Sequence, residues 1–142
     1  MSQGESATDL LPLPLPAGRV EQIVLVCVRR MAANGLRDAH ASWLALETFG
    51  SQFRRPLVLL RAFMLELANS SCRPIRIAPC CAMRMTEDEG RILEVLRLAA
   101  GEPDLSGQAL MALTRNVHVC EPLSAAAVFG RALAENGKPL AA

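Results

Sequence analysis

Val20, Ile23, Val24, Cys27, Val28 and Met31 recur at steps of three and four residues. That spacing lays one stripe along an α-helix but would scatter the same side chains over both faces of a strand. Helix is therefore the state in which this segment buries its hydrocarbon, and Gly35 stands where a left-handed C-cap is wanted. Asp38 caps a second helix carrying His40, Trp43, Leu44 and Leu46, which Gly50 closes. Pro56 suits the first turn of a third, where its missing N–H costs nothing. Between Leu57 and Ala68 only Arg61 and Glu66 are not apolar, so this helix is expected to be buried on most sides and to act as the hub.

Thr86 followed by Glu89 forms a capping box, with Asp88 adding charge at the positive end of the dipole. A fourth helix then runs through Ile92, Leu93, Val95, Leu96 and Leu98 to Gly101. A fifth spans Ser106 to Asn116 with Ala109, Leu110, Met111 and Leu113 inward, and a sixth spans Pro122 to Glu135, ended by Asn136 and Gly137. The fold class is all-α: a compact bundle of about six helices with a long extended connection between the third and fourth.

Residues 1–16 end in LLPLPLP, which cannot start a helix and favours polyproline-like backbone. They read as an extended or flexible arm ahead of a single helical domain over 17–142. Leu10, Leu11, Leu13 and Leu15 either strap the domain or dock on a partner.

A hydrophobic fraction of 51% with a mean hydropathy of +0.25 is high for a chain of 142 residues, whose surface is large relative to its volume. A self-association face is expected, and the chain is read as a homo-oligomer or as the binder of a protein partner. The net charge of +1 argues against a polyanion partner, although ten Arg against four acids make residues 19–84 basic. Arg54 and Arg55 ahead of Pro56, and the pair Arg29 and Arg30, are candidate anion contacts at helix ends. The plainer expectation is that these Arg pair with the acidic C-terminal half or with a second subunit. Nucleic acid is not the expected ligand, because the third helix lacks the polar side chains a recognition helix needs.

Five cysteines, Cys27, Cys72, Cys80, Cys81 and Cys120, form an odd set without the spacing of a secreted scaffold, and no leader pattern opens the chain. A reducing, cytoplasmic setting is expected. The richest apolar run is too short and too charged for the roughly 20 residues a bilayer span needs, so no membrane helix is expected.

Soft side chains gather in RPIRIAPCCAMRMTEDE, where Cys80, Cys81, Met83 and Met85 crowd the start of the fourth helix. If the fourth and fifth helices form an antiparallel hairpin, their lengths of about 21 and 16 Å return Val117–Cys120 to that point. Cys72, just past the third helix, joins the same pole if the third and fourth helices are antiparallel neighbours, and Cys80, Cys81, His118 and Cys120 would then supply the thiolate and imidazole donors that Zn²⁺ or Cu(I) prefers. Equally, Cys80 or Cys81 near a helix N-terminus and flanked by Arg76 and Arg84 would be a reactive thiol, with His118 as its one candidate base. The bland counterpart is that these cysteines only fill space. His40 reads as a surface or capping-turn residue and Trp43 as core or dimer interface.

RRMAANGLRDAHA, FRRPLVLLRAFMLELA and RPIRIAPCC with RMTEDE resemble a small family of uncharacterised bacterial proteins of unknown function, over about half the chain. The resemblance implies no catalytic residue, cofactor or partner. No phosphate loop, dinucleotide fingerprint, zincin or nucleophile-elbow pattern occurs, so the commonest enzyme chemistries lack support. The sequence points to a non-enzymatic helical interaction or regulatory protein that self-associates, with a soft-metal or thiol-sensing module as the alternative.

Overall fold

The computed structural model describes residues 11–140. Its elements run β1 (Leu13–Pro14), α1 (Arg19–Asn34), α2 (Ala39–Phe49), a 3-10 turn at Gly50–Gln52, α3 (Arg54–Ser70), β2 (Arg84–Met85), α4 (Glu87–Leu98), α5 (Pro103–Thr114) and α6 (Cys120–Glu135). The bundle is mostly α, and its only described sheet is a two-residue antiparallel ladder pairing Leu13 with Met85 and Pro14 with Arg84. Among the described residues no helix is long and apolar enough to cross a membrane.

The core forms where the apolar stripes meet. Phe63 and Leu67 of α3, Leu93 and Leu96 of α4, Leu110 and Leu113 of α5, and Phe129 and Leu133 of α6 are all buried. Helices α3 and α6 run antiparallel: Arg55 at the start of α3 reaches Glu135 at the end of α6, at 2.9 Å. At the opposite pole Asn116, just ahead of α6, donates to the Ser70 carbonyl at 2.8 Å. The α4–α5 hairpin is also present. Ser106 donates to the Val95 carbonyl near its turn, and Arg73 ties the Leu113 carbonyl to Asp88 at its open end.

Caps set the helix ends. The Asp38 carboxylate accepts from the Ala41 N–H, and Thr86 and Glu89 form the reciprocal capping box. Gly35 ends α1 at φ 102° and ψ 161°, outside the left-handed helical basin and in a region essentially restricted to glycine. Helix α6 ends in a Schellman arrangement, with Lys138 N–H bonded to Leu133 O and Gly137 N–H to Ala134 O.

Three helix expectations are adjusted. Helix α3 leaves one strip open: Leu60, Phe63 and Leu67 face inward and the flanks are half-buried, while Val58 and Leu65 stand exposed. Its partners leave one strip uncovered, so an almost wholly apolar sequence still carries an exposed edge. Met111 points outward, because α5 turns Ala109, Leu110 and Leu113 to the core and leaves Met111 on the flank. Helices α5 and α6 also begin earlier than their apolar residues suggest, at Pro103 and Cys120. Proline at N1 has its φ preset for that role.

Residues 11–16 lie against the domain. Arg84 donates to the Leu11 and Pro12 carbonyls at 2.7 and 3.0 Å, and Leu13 and Leu15 pack on the core. The tip of the Leu13 side chain lies over Gly90 of α4, where a Cβ would make it shift. Leu10 and the rest of the arm lie outside the described residues.

Candidate functional site

Residues 71–86 join α3 to α4 without a helix and hold the soft side chains. Polar groups, not hydrocarbon, fix their path. At the start of α4, Asp88 accepts from both Arg73 Nη atoms at 3.1 Å and from the Arg76 N–H at 2.7 Å. Glu89, fully buried, accepts from Thr86 N–H, Ala78 N–H and Arg29. Arg29 is 2% exposed and pairs with Glu89 through Nε at 2.7 Å and Nη2 at 3.0 Å. It also donates to the Ala82 and Arg84 carbonyls at 2.9 and 2.8 Å. Among the described residues no buried side-chain N or O lacks a hydrogen-bond partner. A charge pair this deep contributes through its complete set of bonds, since desolvating two ions offsets much of their attraction.

This buried pair was hidden from the sequence. Arg29 and Glu89 are 60 positions apart; pairing of the Arg residues with the acidic C-terminal half is the plainer expectation from sequence, but no short-range signal names Glu89 as the partner of Arg29. The available signal was its place one turn after Leu25, inside the apolar stripe of α1. Arg30 pairs with Asp38, Arg55 with Glu135 and Arg73 with Asp88, while Arg61 donates to Leu36 O and Ser42 Oγ. These Arg thus act largely as internal fasteners of the chain.

The polar frame presents the two cysteines. Ala82 N–H bonds to Pro79 O at 3.0 Å, closing a β-turn in which Cys80 and Cys81 are the corner residues. Both are exposed and free, and Met83 beside them is 75% exposed. The Arg30 guanidinium, held above its ordinary pKa chiefly by Asp38, also faces the Cys80 side chain. A cavity of about 380 Å³ opens at the turn, walled by Leu15, Leu25, Val26, Arg29 and Met83.

His118 and Cys120 do not join this pair. They lie with Asn116 and Val119 at the α5–α6 connection, where His118 N–H bonds to Asn116 Oδ1 and both side chains are exposed. Cys72 is near that pole, its N–H on the Thr114 carbonyl. Hairpin closure therefore brings Cys72, not the Cys80–Cys81 turn, toward His118 and Cys120. The connection after Arg76 carries the turn across to α1. Among the described residues no three His, Cys, Asp or Glu side chains are grouped to hold a metal ion. Cys80, Cys81, His118 and Cys120 are thus not gathered into one such group. Cys27 is buried against Ala41 O, and burial first, then Asp38, pushes its thiol up to about 12.

A different surface lies on α2 and α3. Helix α2 buries only Ala41 and Ala45, whereas Trp43 is 51% and Leu46 45% exposed. Val58 at 56% and Leu65 at 47% are exposed on α3. They lie on the helix face that also carries Arg61, which reaches across to Ser42 of α2. The His40 and Trp43 rings lie 5.8 Å apart on the same exposed helix. Past Leu65 the stripe meets an apolar cleft of about 370 Å³ lined by Met31, Leu36, Met64, Ala68, Ile75 and Ile77.

A family model described as a family of unknown function (DUF6628) matches residues 1–137, well beyond the half of the chain covered by the motifs above. No curated protein and no solved structure matches the chain.

Proposed function

The chain belongs to that family, whose function is unknown, and from this premise we propose that it is a non-enzymatic helical interaction protein that self-associates through the α2–α3 face. One observation carries the reading: α2 buries two alanines and leaves its Trp and a Leu half in solvent. An eleven-residue helix is marginal in water by itself and depends on packing. Fully burying a large apolar side chain contributes roughly 1.5–3 kcal/mol, so the half-exposed set leaves several kcal/mol unused. A two-fold contact uses each patch twice, which offsets association costs of about 4–15 kcal/mol. The hydrophobic fraction of 51% supports the same face.

Sedimentation or light scattering should give twice the 15.3 kDa chain mass, falling toward one chain on dilution. Trp43→Glu and Leu65→Glu should each give a folded monomer. A wild-type mass of one chain at every concentration tested would end this reading. So would an unchanged dimer in both variants.

A second reading is supported by the exposed cysteine turn. Here the protein is a thiol-sensing module that uses Cys80 and Cys81 alone. The odd set of free thiols supports a cytoplasmic setting for either reading. Rapid reaction of two adjacent thiols with Ellman's reagent is the expected result for this module, and protection of both would remove it.

A further inference from the structure

We propose that the Cys80–Cys81 turn and the cavity beside it form a bidentate dithiol site for an organic trivalent arsenical. The inference rests on the thiol reading above and names its ligand class. Three features converge on it. Both thiols sit at the corner of one hydrogen-bonded turn, so two sulfurs are offered from adjacent residues on the surface. The turn is preorganised, because Arg29 holds the Ala82 and Arg84 carbonyls while it is itself locked onto buried Glu89. An apolar wall of Leu15, Leu25 and Val26 flanks the sulfurs and gives a carbon substituent somewhere to go.

These features select the ligand. Trivalent arsenic takes thiolate ligands at a pyramidal centre with a narrow sulfur–arsenic–sulfur angle, which neighbouring residues can span. A four-coordinate zinc site needs more donors than the turn offers. The reaction is a condensation. An arsonous acid, R–As(OH)₂, loses two As–O bonds and gains two As–S bonds. The two S–H protons leave with the hydroxyls as two waters, and arsenic stays trivalent, so no oxidant or reductant is required. Once one sulfur is bound, the second attacks at an effective concentration in the millimolar range or above.

Phenylarsine oxide is the probe, added to the reduced full-length chain and followed by intact mass and by Ellman's thiol count. The expected result is one phenylarsenic per chain with two thiols lost, reversed by a dithiol but not by an equal concentration of monothiol. Cys80→Ser and Cys81→Ser should each weaken binding ~10²-fold or more, the loss expected when a chelate becomes a single contact. Cys72→Ser and Cys120→Ser should leave it unchanged. Val26→Glu, at a half-buried cavity position, should weaken phenylarsine oxide by about 10-fold while sparing arsenite, because the apolar wall meets the carbon substituent and not the arsenic.

Native-like affinity in Cys80→Ser or Cys81→Ser, or binding that follows Cys72 or Cys120, would overturn the site. If phenylarsine oxide fails to bind while both thiols react freely with Ellman's reagent, the ligand assignment falls and the thiol-sensing reading stands. If both thiols are also unreactive, the two fall together.

Discussion

Removing the Glu89 carboxylate is the sharpest test of what holds the α3–α4 connection in place. Glu89 is fully buried and accepts from Arg29, Ala78 N–H and Thr86 N–H. Glu89→Ala therefore strips the counter-charge from an Arg that is 2% exposed and orphans two backbone donors. Breaking a buried pair from one side costs about 3–5 kcal/mol, and loss of the capping partner adds about 1 kcal/mol. The losses share one network and will not sum fully, so the expected total is about 4–5 kcal/mol. Against a typical domain stability of about 5–15 kcal/mol, that leaves a barely folded protein.

Glu89→Gln separates the terms. Glutamine can still close a capping box, so its loss, about 3 kcal/mol, reports mainly the charge. Urea unfolding followed by far-UV circular dichroism gives both values from the shift in midpoint at constant slope. Arg29→Met combined with Glu89→Leu should be more stable than Glu89→Leu alone, because no unpaired charge remains inside. A Glu89→Gln loss within about 0.5 kcal/mol, the range of ordinary surface changes, would refute the role assigned to the pair.

Two further predictions concern pH. Burial, with Asp38 adding to it, raises the Cys27 thiol from 9.0 to about 12. The unfolded chain ionises first, so the stability fully present below pH 9 is lost as pH rises from 9 toward 12, at about 1.4 kcal/mol per pH unit. No Tyr and only one Lys overlap this limb, and the four other thiols are still present in a Cys27→Ala variant, so the difference between the two curves isolates Cys27. Cys27→Ala should flatten this alkaline limb in denaturation curves, and an unchanged slope would contradict it. Asp38 is shifted the other way, lowered from 3.8 first by its hydrogen bond from Arg30 and then by the Ala41 N–H. Its contribution is present above 3.8 and is lost as pH falls below that value through the folded pKa. Asp38→Asn keeps the cap and should blunt the acid loss of helicity, so an acid limb identical to wild type would count against the pairing.

Period and punctuation carried most of the fold. The α1 stripe, the Asp38 cap, the Thr86–Glu89 box and the closing Asn136–Gly137 are local signals, and the helices they mark are where the spacing puts them. Orientation was harder to read. An apolar run such as Leu57–Ala68 states that a helix forms but not how many sides find partners, which depends on where α2 and α6 settle. The candidate site was half legible. The sequence places the adjacent cysteines ahead of a capping box, but their turn and its route toward α1 are set by Arg29 and Glu89, which no short-range pattern connects. The expected gathering with His118 and Cys120 failed for the same reason, since hairpin closure fixes the end of α5 but not a loop pulled elsewhere.

From Arg73 to Arg84 the chain is fastened at Arg73, Arg76, Ala78, Ala82 and Arg84 to side chains that other elements hold rigid. No two successive anchors are more than four residues apart, so hardly any slack exists between them. Ordinary surface loops absorb insertions and deletions freely, whereas this one behaves like a measured cord whose length is part of its design. Lengthening it by a residue would move every downstream knot out of reach of its peg, and the cysteine corner would lose its fixed address.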